Sequence, residues 1–107
     1  MKVFISQPMR DKTNEEIKKE RAAAIEYVKK EIGEDAEAID SFFEEAPHKA
    51  KPLWCLGKSI QLLGTADVAV FIGDWGKYRG CKIEYAVCKE YGIKALCVSR
   101  CLHTKEG

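Results

Sequence analysis

ADVAVFIGDWGKYRGCKIEYAVCKEYGIKALC, residues 66–97, reads as a strand over 67–72, a glycine-bracketed loop over 73–80, a helix over 81–91 and a second strand over 93–98. Such a unit implies a right-handed crossover between parallel strands. It puts the loop at the carboxyl end of the sheet, where open α/β folds bind ligands. On this reading Glu84 falls in the first turn of the helix.

The same alternation runs outward to the amino terminus. Residues 2–5 form a short apolar strand and 6–12 a polar loop with Pro8 and Arg10. Thr13 and Glu16 have capping-box spacing, Ile17, Ala24, Ile25, Val28 and Ile32 recur at helical intervals, and Gly33 suits a carboxyl cap, so a helix is expected over 14–32. Residues 37–42, EAIDSF, can form a strand, followed by a loop through Pro47 and His48. Pro52 suits a helix start, Leu53, Leu56, Ile60 and Leu63 mark an expected buried stripe, and Gly64 ends the helix. The order β, α, β, α, β, α, β, with no repeat or low-complexity stretch, predicts one domain over 1–101 and a polar tail over 102–107.

Composition narrows the function classes. The chain has 107 residues, 46% of them hydrophobic, enough for one core and too few for two ordinary domains. Eighteen Lys and Arg nearly cancel seventeen Asp and Glu, so no global field favours nucleic acid or an anionic membrane. The opening MKVFISQPMRDK carries a four-residue apolar run, too short for a signal peptide or a membrane span, and a cytoplasmic location is expected. Five cysteines, Cys55, Cys81, Cys88, Cys97 and Cys101, form no C-x-x-C pair, which points to reduced thiols. Cys81 and Cys88 share a helical face with Glu84, but with no histidine nearby they read as small buried hydrophobes and no metal site is expected.

The expected architecture is a small three-layer α/β sandwich around a four-stranded parallel sheet, of flavodoxin-like or Rossmann-like type, with strand order 2-1-3-4 by analogy with flavodoxin-like folds. In that order the loops after the first and third strands form a crevice. Ser6, Gln7, Pro8 and Arg10 should face Gly73, Asp74, Trp75, Tyr78, Arg79, Gly80 and Cys81, with Asp40 and Ser41 at its border. Neither G-x-G-x-x-G after the first strand nor G-x-x-x-x-G-K-[ST] occurs, which disfavours dinucleotide and P-loop enzymes, and no cofactor is expected. The remaining phosphate device is the start of the third helix, where Gly80 permits close approach and Lys77, Arg79 and Lys82 add charge. An ordinary glycine turn with solvated lysines reads the same way.

The segment Gly80-Cys81-Lys82-Ile83-Glu84-Tyr85-Ala86, preceded by ADVAVF and followed by YGIKALCV, resembles the G-T-x-x-E-L-G/A signature of the nucleoside 2-deoxyribosyltransferase superfamily, which includes deoxynucleoside 5′-monophosphate N-glycosidases. KVFISQPM resembles that superfamily's first strand and loop, and the likeness, closest to small phage and bacterial members, spans nearly all of the chain. The resemblance implies that Glu84 is a nucleophile. It attacks the anomeric carbon of a 2′-deoxynucleoside or its 5′-monophosphate, expels the base and forms a glycosyl ester that a second base or water resolves. It also implies a homo-oligomer in which a neighbouring subunit can complete the site. The family's acid eight positions before the aspartate that opens the third strand falls on Ser59, counting back from Asp67. Either Asp40 substitutes for it or the chemistry is altered or lost.

Several residues carry two readings. Trp75 and Tyr78 can sandwich a nucleobase, or Trp75 can fold back on the core. Trp54 fits helix packing or an oligomer contact; Gln7 and Arg10 can hold a phosphate or base edge, or Arg10 can pair with Asp11 or Glu15. Asp67 precedes its strand and reads as structural. Three functions follow: an N-glycosidase or deoxyribosyltransferase, a nucleotide-binding module without turnover, and an interaction subunit with a vestigial cleft. The first two take a small nucleoside or nucleotide as partner.

Overall fold

The computed structural model describes residues 1–8, 12–40 and 51–98. Four parallel strands, β1 (Lys2–Ser6), β2 (Glu37–Ala38), β3 (Val68–Ile72) and β4 (Lys94–Val98), lie in the order β2-β1-β3-β4, as expected. Helices α1 (Asn14–Glu31), α2 (Pro52–Leu63) and α3 (Arg79–Tyr91) connect them. The fold is thus a small flavodoxin-like α/β sandwich. Among the described residues no helix is long and apolar enough to cross a membrane.

The alternation of side chains along the strands builds two cores. Val3 and Ile5 of β1, with Val68, Val70 and Ile72 of β3, pack against Ala24 and Val28 of α1. Phe4, Ala69 and Phe71 face the other way, onto Leu63 of α2 and Cys88 of α3. All five residues of β3 are buried, as a strand covered on both faces requires.

Local chemistry fixes the elements. The capping box at α1 forms as read: Glu16 N donates to Thr13 Oγ1 at 3.1 Å and Thr13 N donates to Glu16 Oε1 at 2.8 Å. Glu15 and Glu16 in the first turn and Lys29 and Lys30 in the last complement the helix dipole. At the amino end of the sheet Lys2 N donates to Asp67 Oδ2 at 2.7 Å and Asp67 N to Lys2 O at 2.8 Å. Asp67 is therefore a clasp between two strand starts, in line with its structural reading.

Three expectations are corrected. The strand expected over 37–42 spans only Glu37–Ala38; the sheet edge gives it β1 alone to pair with, and Ser41 and Phe42 lie outside the described residues. The stripe on α2 is not uniformly buried: Leu63 is buried and Leu56 and Ile60 are half-buried, but Leu53 is 75% exposed, because the far end of α2, at Leu62 and Leu63, is the part that packs on the core. Finally, α3 begins at Arg79, not Cys81. Tyr78, in extended conformation, is its N-cap, and Lys82 N donates to Tyr78 O at 3.0 Å. Gly80 is tolerated in a first helical turn, and a 3-10 turn at Trp75–Lys77 fills the loop before it.

Candidate active site

Consecutive residues at the end of β1 point to opposite layers, and this parity builds the site. Ser6, in phase with Phe4, faces α3; Gln7, in phase with Ile5, faces α1. The Ser6 hydroxyl donates to Glu84 Oε1 at 2.6 Å, the short distance of a hydrogen bond to an ionised acceptor. Both groups are buried, Glu84 with 7% of its surface exposed. They form part of the wall of a cavity of about 520 Å³ bounded by Phe4 to Pro8, by Pro52, Cys55, Leu56 and Ser59 of α2, and by Tyr78, Arg79, Gly80 and Cys81. That volume suits one small ligand, and largely apolar walls with a few convergent polar groups are usual for such a site.

Because α3 starts early, Glu84 is in its second turn rather than its first, beyond the strongest influence of the helix dipole. Burial accordingly dominates and pushes the Glu84 carboxyl up; the Ser6 and Ser59 hydroxyls, favouring the ionised form, act against it. Cys81, three residues earlier on the same face, has its thiol pushed up to about 11. Burial is the main cause, the charges of Glu84 and Asp74 add to it, and a hydrogen bond with Ser6 opposes it. Cys88 is raised by burial and by Glu84. Cys81, Glu84 and Cys88 are all buried on one face, as their spacing implies. Among the described residues no cluster of three His, Cys, Asp or Glu side chains could hold a metal ion.

Ser6, Gln7, Pro8, Ser59, Tyr78, Arg79, Gly80, Cys81 and Glu84 thus come together around one cavity. Others among the expected residues do not. Asp40 is exposed beyond the short β2 and is not in the cavity wall; its charge acts on Arg21 of α1 instead. Trp75 packs on Phe71 and Tyr85, ring centroids 5.1 and 4.7 Å apart, so it joins the core and forms no sandwich with Tyr78. Gly73 and Asp74 lie outside the wall. At φ 69° Gly73 adopts a left-handed conformation that favours glycine, and it turns the chain beside Pro8. Of the three basic residues, Arg79 borders the cavity and Lys77 and Lys82 do not. Arg10 and Ser41 lie outside the described residues.

The Gln7 side chain is engaged on the α1 side of the sheet. Its amide nitrogen donates to Glu20 Oε1 at 3.1 Å and to Ile17 O at 3.4 Å, and its oxygen accepts from Arg21 at 3.1 Å. Arg21 also donates to Ile39 O at 3.0 Å, tying the ends of β1 and β2 to α1. Of the cavity wall from α2, Ser59 was expected at the site, whereas Pro52, Cys55 and Leu56 were not, although the four share helical spacing.

No protein-family model, curated protein or solved structure matches the chain.

Proposed function

We propose that the protein cleaves or transfers the N-glycosidic bond of a 2′-deoxynucleoside or its 5′-monophosphate, with Glu84 as nucleophile. The observation that carries this reading is a buried carboxylate held by Ser6 at 2.6 Å in the wall of a cavity of ligand size. The Glu84 carboxylate attacks the anomeric carbon as the carbon–nitrogen bond breaks; the electron pair leaves with the base, which takes a proton from water. An acceptor base or water then attacks the same carbon and restores the carboxylate. Burial favours the first step, since the apolar wall disfavours the ionised carboxylate more than the neutral ester it becomes.

A nucleotide-binding module without turnover is the second reading. It is favoured by one observation: among the described residues Glu84 is the only carboxylate in the cavity wall, with Ser59 where an acid is expected. Homo-oligomeric assembly, with a neighbouring subunit supplying that acid, belongs to the first reading.

Free base is to be measured chromatographically after incubating wild type and Glu84→Ala with nucleosides, deoxynucleosides and their 5′-monophosphates, with and without an acceptor base. Release by wild type and not by the variant is expected, and acceptor dependence separates transferase from hydrolase. Tight nucleotide binding with no product supports the module; release that survives Glu84→Ala rejects the nucleophile.

A further inference from the structure

The Ser6 hydroxyl has one proton, and the 2.6 Å contact commits it to Glu84 Oε1. Its oxygen is then left to accept. Ser6 O–H and the Glu84 carboxylate form a directed pair within a buried wall where an unpaired charge is expensive. The Cys81 thiol, pushed up to about 11 mainly by burial, borders the same cavity as a neutral neighbour.

We propose that Ser6, through this short hydrogen bond, is the positioning residue that keeps Glu84 ionised and aimed into the cavity. The inference rests on the nucleophile reading of Glu84. Competing groups are few. From α3, Cys81 and Cys88 couple to Glu84 and Arg79 borders the cavity; Tyr78, its N-cap, also borders it. From α2 come Cys55 and Ser59, and from β1 no charged side chain borders it. Asp74 acts on Cys81.

The test is a carbon-13 NMR titration of the Glu84 carboxyl in wild type, Ser6→Ala and Ser6→Thr, alongside the pH dependence of kcat/KM for base release. Ser6→Ala is expected to raise the Glu84 titration midpoint by about one pH unit, tenfold in the ionisation constant, and to move the acid limb of kcat/KM with it. Ser6→Thr, which keeps the hydroxyl, should return both towards wild type. A midpoint unchanged in Ser6→Ala overturns the proposal, and a shift that Ser6→Thr does not reverse overturns it too. The titration needs no turnover. A wild type that shows the expected shifts yet releases no base supports the Ser6–Glu84 coupling and rejects only the glycosyl reading.

Discussion

Glu84 is destabilised as an anion by its surroundings, and this leaves a signature in stability as well as reactivity. Its folded-state pKa lies above the ordinary 4.5 because burial outweighs the Ser6 and Ser59 donors. The folded protein therefore holds a proton over a pH range in which the unfolded chain has lost it. Stability from this group is fully present below 4.5, falls as pH rises through that range, and is level above the folded pKa. Glu84→Gln, close in shape and uncharged, is expected to melt higher than wild type at neutral pH, by roughly 5 °C for each tenfold by which burial weakens the Glu84 acid, with the gap closing near pH 4. Thermal melts across pH check this; a variant less stable than wild type at neutral pH contradicts it. Glu84 itself was legible in sequence through the Gly80 to Ala86 motif. Its partner was legible only as a loop residue, because Ser6 is 78 positions away and nothing local reports which strand phase faces which helix.

At the scale of elements, the sequence was most informative where boundaries are set by nearby groups. The capping box fixed the start of α1, and Pro52 and Gly64 bracket α2 as read. It was least informative where tertiary contacts decide. The start of α3 lies at Arg79 because Tyr78 caps through its backbone conformation, with no side-chain cap hydrogen bond to signal it. Leu53 is exposed although it shares the stripe, because periodicity marks a face of a helix and not how far along it the core reaches. Helical placement of Gly80 has a testable result. A Cβ there would meet no atom within 4 Å, so Gly80→Ala fits without strain and should raise stability by about 0.5 kcal/mol. The added methyl would stand at the cavity wall, and nucleotide affinity should fall. Paired melts and binding titrations read both effects; a clear loss of stability would contradict the helical assignment.

For the whole molecule, the alternation of elements implied parallel strands joined by crossovers, while the strand order came by analogy with flavodoxin-like folds and is the one observed. The same order ranks the strands by protection. β1 and β3 are central, and β2 and β4 are edges, with β2 only two residues long. Amide hydrogen exchange should be slowest at Phe4, Ile5, Val70 and Phe71 and fastest in β2, by several orders of magnitude; protection of β2 equal to that of β3 would contradict this ranking. The opposed phases of Ser6 and Gln7 bear on how such a site can evolve. Substitution can adjust the hydroxyl, the amide or the carboxylate one at a time. Loss of one residue within β1 would instead bring the Gln7 amide opposite Glu84, gain of one would bring the Ser6 hydroxyl opposite Arg21, and either would invert the core-facing residues of the strand in the same event. Lineages that retain this cavity should therefore vary in the identity of these residues and hardly ever in the length of the strand that carries them.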